Sequence, residues 1–259
     1  MAIITQHAPG TFCWPELATT DQNGAKKFYT ALFGWTSDDS PIGENEFYTM
    51  LQSKGHAAGA LYTMRKEMRE NHVPPHWGSY VAVENTDQSA AKARQLGGKV
   101  IAEPFDVMDA GRMAVIQDPT GAVFSLWQAM KHPGIGVFNE PGALCWTELI
   151  TTDTDAAKRF YTGLFPWQTE SMDGGMPYTV FKVGENRIGG MMQRTPEMGN
   201  VPPFWLAYFE VDDCDAATAK ALSLGGKALM PAQEVPSYGK IAVLQDPQGA
   251  SFGLHSTKK

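Results

Sequence analysis

Two carboxylates stand in one short motif, Glu16 in Trp14-Pro15-Glu16-Leu17 and Glu148 in Trp146-Thr147-Glu148-Leu149. In an extended strand, period-two alternation puts each on the same face as its indole. A carboxylate held against an indole in a cavity has a disfavoured charged form, so it can serve as a general acid or base or orient a ligand's donor group. The plainer reading is a carboxylate tied to backbone or to an arginine at a cavity rim, because buried carboxylates are normally paired. Tyr48 and Tyr178 also recur, and Met191-Met192 adds adaptable apolar surface of the kind that lines small-molecule sites. His72 and His76 have the spacing of a helical metal pair, but Pro74-Pro75 between them forbids a regular helix, and their counterparts are Asn200 and Phe204. His255 either lines a pocket or ends a strand. No nucleophile triad, phosphate loop or paired-cysteine metal motif is present, and Ser125 has no base evident in the sequence.

The elements that must position these residues are written twice. Pro9 to Phe33 reads PGTFCWPELATTDQNGAKKFYTALF, and Pro141 to Phe165 reads PGALCWTELITTDTDAAKRFYTGLF. Val73-Pro74-Pro75, Leu96-Gly97-Gly98-Lys99 and Gln117-Asp118-Pro119 return as Val201-Pro202-Pro203, Leu224-Gly225-Gly226-Lys227 and Gln245-Asp246-Pro247. A period this long marks a duplicated domain, since solenoid repeats run to roughly 20–50 residues. Each half divides again into two units of strand, helix and three short strands. Phe12 to Ala18 alternates as a strand, with Phe12, Trp14, Glu16 and Ala18 expected on one face. Asp21 is placed to cap a helix carrying Ala25, Phe28, Tyr29, Leu32 and Phe33, and Gly34 suits its stop. Asp118-Pro119-Thr120-Gly121 and Asp246-Pro247-Gln248-Gly249 read as type I turns joining the last two strands of each domain. Domains are expected at 9–129 and 141–256, with a Pro- and Gly-bearing linker at 130–140.

The chain has 259 residues, 43% of them hydrophobic, and a formal charge of -7, as expected of a folded chain with two cores. An acidic chain without a basic run disfavours nucleic acid and polyphosphates as partners. Cys13, Cys145 and Cys214 form no disulfide framework, and no apolar run approaches the ~20 residues of a membrane span, so no membrane partner and a cytoplasmic location are expected.

With Asp21, Phe28-Tyr29, Phe33-Gly34-Trp35, Val83 with Asp87, Leu96-Gly97-Gly98 and Asp118-Pro119-Thr120-Gly121 in order, and their second copies, the chain resembles the vicinal oxygen chelate superfamily. That superfamily includes glyoxalase I, bleomycin-resistance proteins and extradiol dioxygenases. The resemblance implies an α+β fold of two tandem glyoxalase-like domains, each a pair of βαβββ modules forming a cupped mixed sheet. It also implies metal ligands on the first and last strands of the modules. Those positions fall on Trp14, Gly78 and Ser125 in one half and on Trp146, Leu206 and Gly253 in the other, none of which is a normal ligand for a divalent metal. No metal or other cofactor is therefore expected, and a displaced site using Glu16 and His76 stays open. The expected ligand-binding residues are Trp14, Glu16, Tyr48, Ser125 and Trp127 in the first half and Trp146, Glu148, Tyr178, Met192 and His255 in the second. No catalytic residue is assigned. The leading reading is a protein of the glyoxalase and bleomycin-resistance type that binds a small apolar or aromatic metabolite. The alternatives are a metal-dependent lyase, isomerase or dioxygenase of the same superfamily, and a protein-interaction scaffold. Fusion of a symmetric pair would make the chain its own pseudo-dimer, which leaves a monomer open.

Overall fold

The computed structural model describes residues 3–44, 46–172 and 177–258. The first half runs β1 (Phe12–Thr19), α1 (Gln22–Phe33), β2 (Thr36–Gly43), β3 (Glu46–Ser53), β4 (His56–Thr63), α2 (Lys66–Glu70), β5 (His76–Ala82), α3 (Thr86–Gln95), β6 (Lys99–Val107), β7 (Gly111–Gln117) and β8 (Val123–Ala129). The second repeats it as β9 (Leu144–Thr151), α4 (Thr154–Leu164), β10 (Gln168–Met172), β11 (Tyr178–Val183), β12 (Asn186–Gln193), a 3-10 turn (Pro196–Met198), β13 (Phe204–Glu210), α5 (Cys214–Ser223), β14 (Lys227–Val235), β15 (Gly239–Gln245) and β16 (Ser251–Ser256).

Each half is one eight-stranded mixed sheet, ordered β2-β3-β4-β1-β5-β8-β7-β6 and β10-β11-β12-β9-β13-β16-β15-β14. In the middle, β1 lies parallel to β4 and antiparallel to β5, which lies parallel to β8, so the two modules of a half join through their first strands. β9, β12, β13 and β16 repeat these pairings. The fold is therefore the two tandem glyoxalase-like domains implied by the resemblance.

The strand face is corrected at one residue. The β1–β5 register shifts between Phe12 and Trp14, so Phe12 pairs with Val81 and Trp14 with Tyr80. An extra residue in one strand reverses the facing of what precedes it. Phe12 accordingly turns away from Trp14 and packs on Trp167 and Trp205 of the other half.

That second face holds the helices and a core shared by both halves. Tyr29 and Phe33 of α1 meet Phe252 and Phe209, while Phe160, Tyr161 and Phe165 meet Phe124. Full burial of each such side chain contributes roughly 1.5–3 kcal/mol. The polar ties are reciprocal. Tyr29 donates to Asp246 Oδ2 and Tyr161 to Asp118 Oδ2, each at 2.9 Å. Trp35 Nε1 donates to Gly142 O and Trp167 Nε1 to Gly10 O, each at 2.6 Å. Lys92 and Lys220 reach the last-turn carbonyls of Leu164 and Leu32, where a helix favours a cation. Helices and shared core thus fill one face of each sheet, which leaves the other for a site.

Candidate functional site

On the opposite face, β1 and β9 bring the two glutamates into matching brackets. Glu16 Oε1 accepts from Tyr48 on β3 and Oε2 from Tyr80 on β5, both at 2.7 Å. Trp14 Nε1 donates to the Tyr48 hydroxyl at 3.1 Å, which fixes that hydroxyl as the donor to Glu16. Glu148 Oε1 accepts from Tyr178 on β11 at 2.8 Å and Oε2 from Tyr208 on β13 at 3.0 Å, with Trp146 Nε1 donating to Tyr178 at 2.9 Å. Register explains the convergence: Trp14 lies opposite Tyr80 and Trp146 opposite Tyr208, while Tyr48 reaches inward from two strands away. The two domains differ in one packing detail. Gly190 pairs with Glu148, and a Cβ there would stand 2.1 Å from the Tyr178 hydroxyl, whereas Ala60 holds the matching position beside Glu16.

Burial raises the pKa of Glu16, against the pull of the Tyr48 and Tyr80 hydrogen bonds and the Arg65 charge. Glu148 is raised for the same reason, opposed by Tyr178 and Tyr208. The phenols are pushed up as well, chiefly by burial and then by the glutamate charge. They remain donors at neutral pH. The arrangement holds a carboxylate whose two oxygens each take one phenol and each keep a lone pair.

The surroundings in the second domain are apolar. Cys145, Ile150, Leu206 and Tyr208 form a cluster separate from the shared core, with Trp146, Met192, Phe204, Ile241 and Val243 packed against it. In the first domain Ser125 is buried opposite Tyr80, and Trp127 pairs with Ala82 and donates its indole N–H to His132 O at 3.0 Å. His132, from the segment between the sheets, sets its ring on Trp14 with centroids 4.4 Å apart. Trp14, Tyr48 and Ser125 thus stand in or beside the Glu16 bracket, and Trp146, Tyr178 and Met192 in or beside that of Glu148, while Trp127 is covered by that segment.

The metal positions implied by the resemblance hold few donors. Trp14 and Trp146 offer indole N–H groups that donate to tyrosine, and Gly78, Leu206 and Gly253 offer no side-chain ligand. These residues do not fit a divalent metal. Of the displaced pair, Glu16 holds a tyrosine on each oxygen and His76 Nδ1 lies 2.8 Å from Pro74 O, and among the described residues no group of three metal donors forms around them. His72 is exposed, in left-handed backbone at φ 53°. His255 makes its bonds away from the Glu148 bracket. Its Nδ1 is 2.6 Å from Glu210 Oε2 and its Nε2 3.0 Å from Tyr238 O. The Glu210 bond raises His255, and Glu210 itself sits low because its bonds from His255 and Thr257 outweigh the opposing effect of burial.

The sequence reading missed Tyr80 and Tyr208. Both recur, two residues after Gly78 and Leu206, so the repeat carried the signal. It missed Glu210 because that residue has no acidic counterpart in the first half, where Ala82 stands.

The sequence profile of the glyoxalase/bleomycin resistance protein/dioxygenase superfamily matches residues 11–126 and again 143–254. The chain belongs to that superfamily. Among relatives of this glyoxalase-superfamily chain is CFP32 of Mycobacterium tuberculosis, described as a candidate glyoxylase, 44% identical over 253 residues and 96% of each chain. The anthracycline biosynthesis protein DnrV of Streptomyces peucetius is 34% identical over 268 residues, covering 97% of this chain and 94% of DnrV. The fold is shared with the Mn(II)-bound glyoxalase from Novosphingobium aromaticivorans, with a TM-score of 0.67 at 14% identity over 96% of this chain and 82% of that one. It is shared too with the 2,3-dioxygenase LapB from Pseudomonas sp. KL28, with a TM-score of 0.66 at 11% identity over 98% and 94%.

Proposed function

We propose that this glyoxalase-superfamily chain binds a small aromatic metabolite bearing a hydrogen-bond donor, such as a phenol, in its two cups without the superfamily's usual metal. The observation that carries this reading is the repeated Trp–Tyr–Glu–Tyr bracket set in apolar surface. The lone pairs left on Glu16 and Glu148 accept the ligand's donor, while Trp14, Trp146, Met192 and Phe204 supply flat, adaptable contact area. The likeness to a protein named for anthracycline biosynthesis makes phenolic fused-ring aromatics the first probes. A second reading is a lyase or isomerase in which Glu16 or Glu148 moves a proton, favoured by their raised pKa values.

Titration with a panel of phenolic fused-ring aromatics and their methyl ethers, followed by tryptophan fluorescence, tests the first reading. Binding of the phenols is expected to weaken by roughly 10- to 150-fold in the Glu16→Gln, Glu148→Gln double variant, the loss of one charge-assisted hydrogen bond worth about 1.5–3 kcal/mol. No binding by any phenol, or equal affinity in the double variant, overturns it. Conversion of a bound phenol that disappears in the double variant replaces it with the second reading.

A further inference from the structure

We infer that the second domain carries a metal site of its own, formed by Cys145, Glu210 and His255, which takes a borderline divalent cation such as zinc. Among the described residues, these three offer a thiol sulfur, a carboxylate oxygen and an imidazole nitrogen within 4.8 Å of one another. Thiolate, imidazole and carboxylate are the donor set zinc prefers, and three protein ligands leave a fourth position open, as in zinc sites that do chemistry. Ligand atoms on one zinc, at bonds of about 2.0–2.3 Å, stand roughly 3–4 Å apart, so side-chain rotations of an ångström or so close the set.

Topology brings the three together on the face that also holds Glu148. Glu210 lies four residues beyond Leu206 on β13, and His255 lies two beyond Gly253 on β16, opposite Glu210 in the parallel ladder. Cys145 is the bulged residue of β9, where the register shifts between the Trp146–Tyr208 and Leu144–Phe209 pairs. The bulge turns its sulfur into the apolar cluster with Tyr208, where regular alternation would point it away. The site is thus set along the strands from the positions that Trp146, Leu206 and Gly253 have emptied of ligands.

The groups around the three residues are those that orient metal ligands. Tyr238 O can only accept, so His255 Nε2 donates to it at 3.0 Å and Nδ1 is left facing Glu210. Outward donation to a backbone carbonyl is how ligating histidines are commonly fixed. Glu210 Oε1 is held by Thr257 through its N–H at 3.0 Å and its hydroxyl at 2.8 Å, which leaves Oε2 to face Nδ1. With both remaining groups spoken for, the 2.6 Å gap between Oε2 and Nδ1 is bridged by a single proton, the place a cation takes over. Cys145 Sγ now donates to Tyr208 O at 3.3 Å and would release its proton on ligation. The first domain has Cys13 but carries Ala82 and Trp127 where Glu210 and His255 stand, so it lacks two of the three ligands.

The untagged chain, stripped with chelator and titrated with Zn2+ and Co2+ separately, tests the site by equilibrium dialysis, with the absorption of the Co2+ form recorded. One tightly held ion per chain and a thiolate-to-cobalt charge-transfer band are expected. Cys145→Ser should abolish the band although Cys13 and Cys214 remain. His255→Gln and Glu210→Gln should each weaken binding at least tenfold, with circular dichroism confirming that each variant is folded. Glu16→Gln and Glu148→Gln should leave the metal content unchanged, so failure of the ligand-binding reading is told apart from failure of this one. No stoichiometric binding, two equivalent ions per chain, or a band that survives Cys145→Ser overturns the assignment. If one of the three variants does not fold, the other two decide.

Discussion

Glu16 sets a pH dependence whose sign follows from its surroundings. Burial raises its pKa above the ordinary 4.5, against the Tyr48 and Tyr80 bonds and the attraction of Arg65. The folded chain therefore holds this proton more tightly than the unfolded chain. Its contribution to stability is complete below about 4.5 and is lost as pH rises through the raised folded value. Glu16→Gln stays neutral throughout, so its melting temperature should gain on that of the unaltered chain as pH is raised from 4 towards neutrality. A melting-temperature difference that stays flat with pH contradicts this. The glutamates themselves were legible in the sequence because each recurs beside a tryptophan. Their pairing with two phenols apiece was not, since Tyr80 lies 64 residues from Glu16 and only sheet register makes them neighbours.

Element boundaries rest on chemistry between near neighbours. Asp21, Asn85, Asp153 and Asp213 each cap a helix by accepting from the backbone N–H three residues on, and the first of them marked the start of α1 by residue type alone. Asp153→Ala removes the bond to Ala156 N, at 2.9 Å on the exposed end of α4, and should cost about 1 kcal/mol in chemical denaturation. Restoration by Asp153→Ser would show the cap to be the cause, and an unchanged midpoint for the alanine variant would exclude it. The strand bulges were not legible. Nothing in Phe12-Cys13-Trp14 departs from alternation, yet the ladder with β5 slips there, and the slip sends Phe12 into the shared core.

Across the whole molecule, the two domains share one core and should unfold as one unit. Tyr29 joins three parts of it: it accepts from Trp77, donates to Asp246 of the other domain and packs against Phe252. Tyr29→Phe keeps the ring but leaves the Trp77 indole and a buried carboxylate oxygen of Asp246 each short of a partner. Calorimetry should show a single transition for the unaltered chain, and the Tyr29→Phe variant should lose about 1–3 kcal/mol. Two resolved transitions in the unaltered chain would mean that the domains are energetically separate. Asp246 was read as a turn residue, and its Oδ1 does accept from Gln248, Gly249 and Ala250. Its second oxygen serves the interface, a role invisible in the turn motif.

Taken alone, the sequence determined the duplication, the strand-helix-strand order of the modules, the Asp21 cap and the Asp-Pro turns, because alternation, capping and turn chemistry act between residues a few positions apart. It also singled out Glu16 and Glu148, because a second copy of the motif filters chance from constraint. Tertiary structure alone decided what each side chain meets. The Tyr29–Asp246 bond spans 217 positions, and Glu210 meets His255 across 45. Such pairings follow from which strands lie side by side and in what register, a choice set by burial over a whole sheet face that no local run of residues encodes.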